Sequence, residues 1–239
     1  MSVEEVAYRD GDTALIALVV RPAGPPRAVV AVFPTIYNPT PGVMAKADAL
    51  AAAGYLAIVC DFYGSAPSDM ADAFAKAGEL RADTAAYRAR LHAGLVAVDD
   101  IAGDLPRLAI GFCMGGQAVL ELARDGADLT AVASFHGLLD TAQPASQPIK
   151  PRILVCHGDA DTLVPRTQVL AFWEEMDTVE ADWHFHSYSG VAHGFTNPAM
   201  LDGARNPAYN ASADRQSWAA MLSLFDEVLV RSPHRLSAG

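Results

Sequence analysis

The stretch Leu108–Ala123, LAIGFCMGGQAVLELA, decides how this chain folds. Its first half is an apolar run of strand type, and its second half, from Met114, carries a helical pattern. Between them stands the turn Gly111-Phe112-Cys113-Met114-Gly115-Gly116. A strand that enters a helix through so tight a turn holds the central residue above the sheet, at the helix N-terminus. Glycines flank that residue because a Cβ there would collide with the adjoining strand or helix. The turn has the form of a nucleophile elbow, with Cys113 where serine is usual. A thiol nucleophile is the first expectation.

Outward from the elbow the chain alternates. Val3–Arg9 and Thr13–Arg21 are split by Asp10-Gly11-Asp12, a hairpin signal. Arg27–Phe33 and Tyr55–Cys60 are continuous apolar runs, as expected of strands buried on both faces. A Pro/Thr/Asn loop, Pro34–Pro41, leads to a helix over Val43–Ala53 that Gly54 stops. Ser65–Ala82 reads as a short helix with loops, and Asp83–Ala102 as a longer helix. Further strands are expected at Arg107–Phe112, Thr130–Phe135, Pro151–His157 and Asp182–Tyr188, with helices at Arg166–Met176 and Ala213–Val230. This alternation predicts an α/β fold, a mostly parallel, doubly wound sheet flanked by helices. The loop Gly137–Lys150 is too short for a linker, so residues 1–239 are expected to form one domain.

Composition excludes several classes. A net charge of −11 weighs against nucleic acid and anionic membrane as partners. Three cysteines without ligand spacing suggest neither a disulfide framework nor a metal site, and Cys60 and Cys156 lie in apolar runs where thiols are inert. No basic-then-apolar leader is evident, and no apolar stretch reaches the roughly 18 residues of a membrane span, which predicts a cytoplasmic protein. The expected partner is a small-molecule substrate, bound by a monomer or homodimer.

A thiol needs a base, and the base an orienting group. Two loops that each follow a strand supply them: Gly158-Asp159-Ala160-Asp161-Thr162-Leu163-Val164-Pro165, and Gly190-Val191-Ala192-His193-Gly194-Phe195. Asp161 is the proposed acid and His193 the proposed base, in the order nucleophile, acid, histidine. Asp159 is the rival acid. His157, His184 and His186 read as core or sheet-edge residues, whereas His136 ends a strand near the same rim and could line a pocket.

These residues resemble the dienelactone hydrolase family of α/β-hydrolases, in its cysteine-nucleophile branch. The similarity runs through AGYLAIVCDFYG (Ala53–Gly64), the elbow GFCMGGQ, HGDADTLVP, AHGF and the helix RQSWAAMLSLF (Arg215–Phe225). It implies an α/β-hydrolase fold, no cofactor or metal, and a Cys113–His193–Asp161 triad that cleaves an ester or lactone. Two positions depart from the family pattern. Thr35 stands where family members carry a glutamate that helps deprotonate the cysteine. Asn197 stands four residues past the histidine, where they carry an arginine for a substrate carboxylate. A buried carboxylate without a cation is poorly bound, so neutral substrates are expected unless Arg81, Arg88 or Arg90 supplies the charge.

The oxyanion hole is expected from the backbone N–H groups of Met114 and Ile36. Thr35, Tyr37 and Phe195 are expected to touch substrate, and Tyr63, Tyr87 and Phe135 are further aromatic candidates for the pocket. The same apparatus could act on phosphotriesters or thioesters. A redox-sensing or ligand-binding protein on this scaffold is the alternative outside catalysis, although no resolving cysteine accompanies Cys113.

Overall fold

The computed structural model describes residues 2–200 and 202–231. Eight strands form one sheet: β1 (Val3–Asp10), β2 (Thr13–Val20), β3 (Val29–Phe33), β4 (Leu56–Val59), β5 (Arg107–Phe112), β6 (Ala131–Phe135), β7 (Arg152–Gly158) and β8 (Trp183–Tyr188). Their order across the sheet is β1-β2-β4-β3-β5-β6-β7-β8. The hairpin β1–β2 and the β2–β4 pair are antiparallel, and every pair from β4 onward is parallel. The helices are α1 (Pro41–Ala52), α2 (Met70–Arg81), α3 (Thr84–Ala102), α4 (Met114–Arg124), α5 (Arg166–Thr178) and α6 (Ala211–Arg231). Strand ends differ from expectation by a residue or two, because apolar runs continue past the last ladder pair. The largest change is α2, where Asp69 caps the first turn by accepting from Asp72 N–H and gives three full turns.

Period-2 alternation sends the central strands into two cores. Val29, Ala31 and Phe33 of β3 face one side with Leu91 of α3, Leu122 of α4 and Phe172 of α5. Val30 and Val32 face the other with Leu50 of α1 and Phe225 of α6. Beneath α4, β5 presents Ala109 and Gly111, which lets the helix settle close to the sheet. A Cβ on Gly111 would lie 1.8 Å from the Gly115 carbonyl oxygen, and one on Gly115 would lie 2.0 Å from that of Phe33. Only glycine fits at either place.

All of α4 is buried, including Glu121 and Arg124. Charged groups reach that depth only when paired. Arg124 donates to Glu121 Oε1 at 3.1 Å and to both Glu175 oxygens at 2.9 and 2.8 Å, and it also donates to the Leu139 carbonyl. Arg88 of α3 closes on Glu121 Oε2 at 2.9 Å. This network fixes the far end of the helix whose near end carries Cys113. Removing Arg124 leaves Glu175 without its cation and Glu121 with Arg88 alone, so Arg124→Ala is expected to lower unfolding free energy by about 3–5 kcal/mol in urea titration.

Candidate active site

Cys113 occupies the turn with φ 56° and ψ −116°, left-handed backbone that a side chain rarely adopts. Its N–H donates to the Phe135 carbonyl at 3.1 Å, extending the β5–β6 ladder past the strand end. The adjoining loops close in around it. The Phe33 and Pro34 carbonyls lie against Gly115, which brings the segment after β3 beside the first turn of α4. That segment turns tightly: Asn38 N–H donates to the Thr35 carbonyl at 3.0 Å, with Ile36 at the tip. Met114 is the first residue of α4, where the helix itself leaves the N–H without an acceptor.

Asn38 holds this turn in place. Buried and left-handed (φ 63°), it donates to Asp61 Oδ1 at 2.6 Å and accepts from Phe62 N–H at 2.9 Å. Asp61 also accepts from the N–H groups of Tyr63, Gly64 and Ile16. A carboxylate that sits just past an apolar strand, as Asp61 does, was the only local sign of this anchor.

The loops that carry Asp161 and His193 are stitched by backbone bonds: Asp159 N–H to the Tyr188 carbonyl and Ala160 N–H to that of Val191, both 2.9 Å. Asp161 Oδ1 accepts from Leu163 N–H at 2.8 Å, and its Oδ2 accepts from His193 Nδ1 at 2.8 Å. Asp159 points elsewhere and pairs with Arg166 at 2.7 Å. His193 Nδ1 carries the proton of the Asp161 bond, which leaves Nε2 to face Cys113. Burial works against charge on the ring, but the Asp161 bond and the Cys113 sulfur outweigh it and push His193 up to about 10. The two other thiols, Cys60 and Cys156, are buried and pushed up to about 12 by desolvation.

His136, expected as a candidate pocket residue, lines a cavity together with Thr35. It is buried, left-handed at φ 41°, and lies edge-on to His193 with ring centroids 5.2 Å apart. A lone histidine at a strand end carries no pattern that distinguishes this position from ordinary packing. Of the expected substrate contacts, Thr35 lines a cavity of about 20 Å³ with Thr40, His136, Thr196 and Asn197. Tyr37 is partly exposed and its hydroxyl lies 2.7 Å from Met70 Sδ. Phe195 is a correction: it is fully buried and packs on His136 and Tyr188. Phe135 and Tyr87 are also buried, Phe135 stacked on Phe112 and Tyr87 bonded through its hydroxyl to the Met114 carbonyl. Tyr63 stays on the rim, its hydroxyl 3.4 Å from Met114 Sδ.

Among the arginines, Arg88 and Arg90 are committed, Arg90 to Asp10 at 2.6 Å and the Phe62 carbonyl at 2.5 Å. Arg81 pairs with Asp140 at 3.7 Å, and its charge is felt at Tyr63 and Tyr87. Among the described residues, no group of three or more His, Cys, Asp or Glu is arranged to hold a metal ion, and no helix is long and apolar enough to cross a membrane.

A central, mostly parallel sheet with a strained strand–turn–helix elbow after its fifth strand defines the α/β-hydrolase fold. The chain belongs to the Dienelactone hydrolase family, whose profile matches residues 15–229. Its structure is similar to a dienelactone hydrolase-like promiscuous phosphotriesterase from metagenomic libraries, at 33% identity, TM-score 0.86, and coverage of 95% of this chain and 98% of that one. An alpha-beta serine hydrolase homologue from Coxiella burnetii shares the fold at 22% identity and TM-score 0.61, covering 82% and 91%. A protein of Caenorhabditis elegans without an assigned function is 39% identical over 123 residues, 50% of this chain and 78% of the worm protein.

The raised His193 value has a defined consequence. A folded value above the ordinary 6.5 means that the imidazolium favours the folded state fully below that pH. The contribution is lost as pH rises through about 10. Proton NMR of the His193 ring should therefore show a titration midpoint well above neutrality. In Asp161→Asn the midpoint should fall, because the carboxylate that supports the charge is gone.

Proposed function

We propose that this protein hydrolyses ester or lactone bonds of small neutral molecules through a covalent thioester on Cys113. The reading is supported by Cys113 at a strained elbow and by a His193 whose Nδ1 is fixed by Asp161 and whose pKa Cys113 helps to raise. Asp161 sets the tautomer and supports the imidazolium. The thiol proton passes to His193 Nε2, and the sulfur attacks the acyl carbon. The oxyanion that forms is met by the N–H groups of Met114 and Ile36. As the carbon–oxygen bond breaks, His193 returns the proton to the leaving alcohol. Water then attacks the thioester, His193 takes its proton, and the carbon–sulfur bond breaks to restore the thiol.

The neutral-substrate preference rests on Thr35 and Asn197 standing where charges would be needed, and on the ion pairs that occupy Arg88 and Arg90. Asp140 offsets Arg81, the third of these arginines, and Asp214 pairs with Lys46 beside the cavity. A neutral aryl ester should therefore exceed a carboxylated lactone in kcat/KM, and strong preference for the lactone would overturn this part.

A phosphotriester is the second substrate class to test, given the activity named for the relative at 33% identity. The sulfur would attack phosphorus in place of carbon. Monomeric solution behaviour or a homodimer is compatible with the same chemistry, and a cytoplasmic location is proposed from the composition.

Stopped-flow release of p-nitrophenol from a short-chain ester is the decisive test. The wild type should show a burst, with an acyl adduct on the Cys113 peptide by mass spectrometry. Cys113→Ala should lose the burst and at least about a thousandfold in turnover. Equal rates for both proteins, with no burst, would reject the hydrolase reading for that ester and bring the sensing or binding reading forward.

A further inference from the structure

His136 stands at the junction of nucleophile and base without belonging to the three residues aligned for chemistry. Its Nδ1 lies 3.2 Å from the Cys113 nitrogen and accepts that N–H alongside the Phe135 carbonyl. An acceptor at Nδ1 places the ring proton on Nε2, which therefore donates to Thr196 Oγ1 at 2.8 Å. Thr196 is buried and lies in the loop that carries His193. One imidazole thus ties the backbone of the nucleophile to the loop of the base. Its faces are packed as well, with Phe195 edge-on at 5.3 Å, His193 edge-on at 5.2 Å and Phe112 at 6.2 Å.

We propose that neutral His136 is a positioning residue that sets the twist of the Cys113 elbow and keeps the sulfur in line with His193 Nε2. The proposal rests on the thiol-nucleophile reading of Cys113. Two features favour positioning over simple packing. Both ring nitrogens are engaged, and their partners belong to the two segments that must stay in register. The ring also has to remain uncharged, since protonation at Nδ1 would set a donor against the Cys113 N–H. Burial first, and then the charge of His193, hold it well below the ordinary histidine value. A second cation beside the His193 imidazolium is thereby avoided.

The test uses three variants of the full chain and two separate readouts. His136→Phe keeps the ring and its aromatic contacts but removes both nitrogens. Thr196→Val removes only the acceptor at the far end, and His136→Asn retains an acceptor close to the position of Nδ1. For His136→Phe, kcat for p-nitrophenyl ester turnover should fall about ten- to a hundredfold with KM within about twofold, since small misplacements act on the chemical step. Alkylation of Cys113 by iodoacetamide at pH 7 should slow in parallel. Thr196→Val should show a smaller loss in both, and His136→Asn should recover much of the His136→Phe defect. Wild-type kcat and alkylation rate in His136→Phe would overturn the proposal. So would a loss in His136→Phe that merely follows a lowered Tm and is not relieved in His136→Asn. If the wild type turns over no ester, the hydrolase reading fails by itself. The alkylation rates would still decide whether His136 positions the thiol.

Discussion

The short distance between α4 and β5 is the constraint on which the site depends. Ala109 and Gly111 leave the sheet low under the helix, and Gly115 leaves the helix open to the carbonyls of Phe33 and Pro34. From that contact follow the sharp turn at Cys113, the placement of Met114 N–H, and the approach of the segment after β3. The same contact explains why α4 is buried along its length, and why its charged residues had to find partners at depth. Arg124 and Arg88 supply them, so an ion-pair network far from the thiol contributes to the thiol's geometry.

Around the elbow the rim is held by polar groups rather than by apolar packing. The Asn38–Asp61 pair anchors the turn that carries Ile36. Backbone bonds lock the Asp161 loop to the segment before His193. His136 spans the remaining gap. Each of these ties joins segments distant in sequence, and each replaces water at a buried polar group, where an unmade bond costs about 1–3 kcal/mol. Precision of the site and integrity of the rim are therefore the same property.

Periodicity made most of the fold legible. The Asp10-Gly11-Asp12 turn marks the hairpin, the apolar runs mark the parallel strands, and Arg107–Phe112 coincides with β5. Asp161 and His193 were legible because each sits in a loop behind a strand. The aromatic pocket was not: Phe135 and Phe195 lie beside the rim in sequence but turn into the core beneath it. The spacing from His157-Gly158 to Val164-Pro165 points to Asp161 over Asp159, and in the structure Asp161 meets His193 while Arg166 draws Asp159 away. Asn38, Asp61 and the two bonds of His136 escaped because their partners lie many residues distant, and local patterns hold no record of such meetings.

The backbone angle at Cys113 sets two demands against each other. A φ of 56° is comfortable only for glycine, so every side chain at this position is kept at a standing cost in folding free energy. Glycine at position 113 would relax the turn and raise stability, at the loss of the side chain that the turn presents. A side chain held at this angle draws on the stability of the surrounding fold. Heat tolerance in variants of this scaffold has to be gained away from the elbow, in the hairpin, the helix caps and the outer faces of α3 and α5.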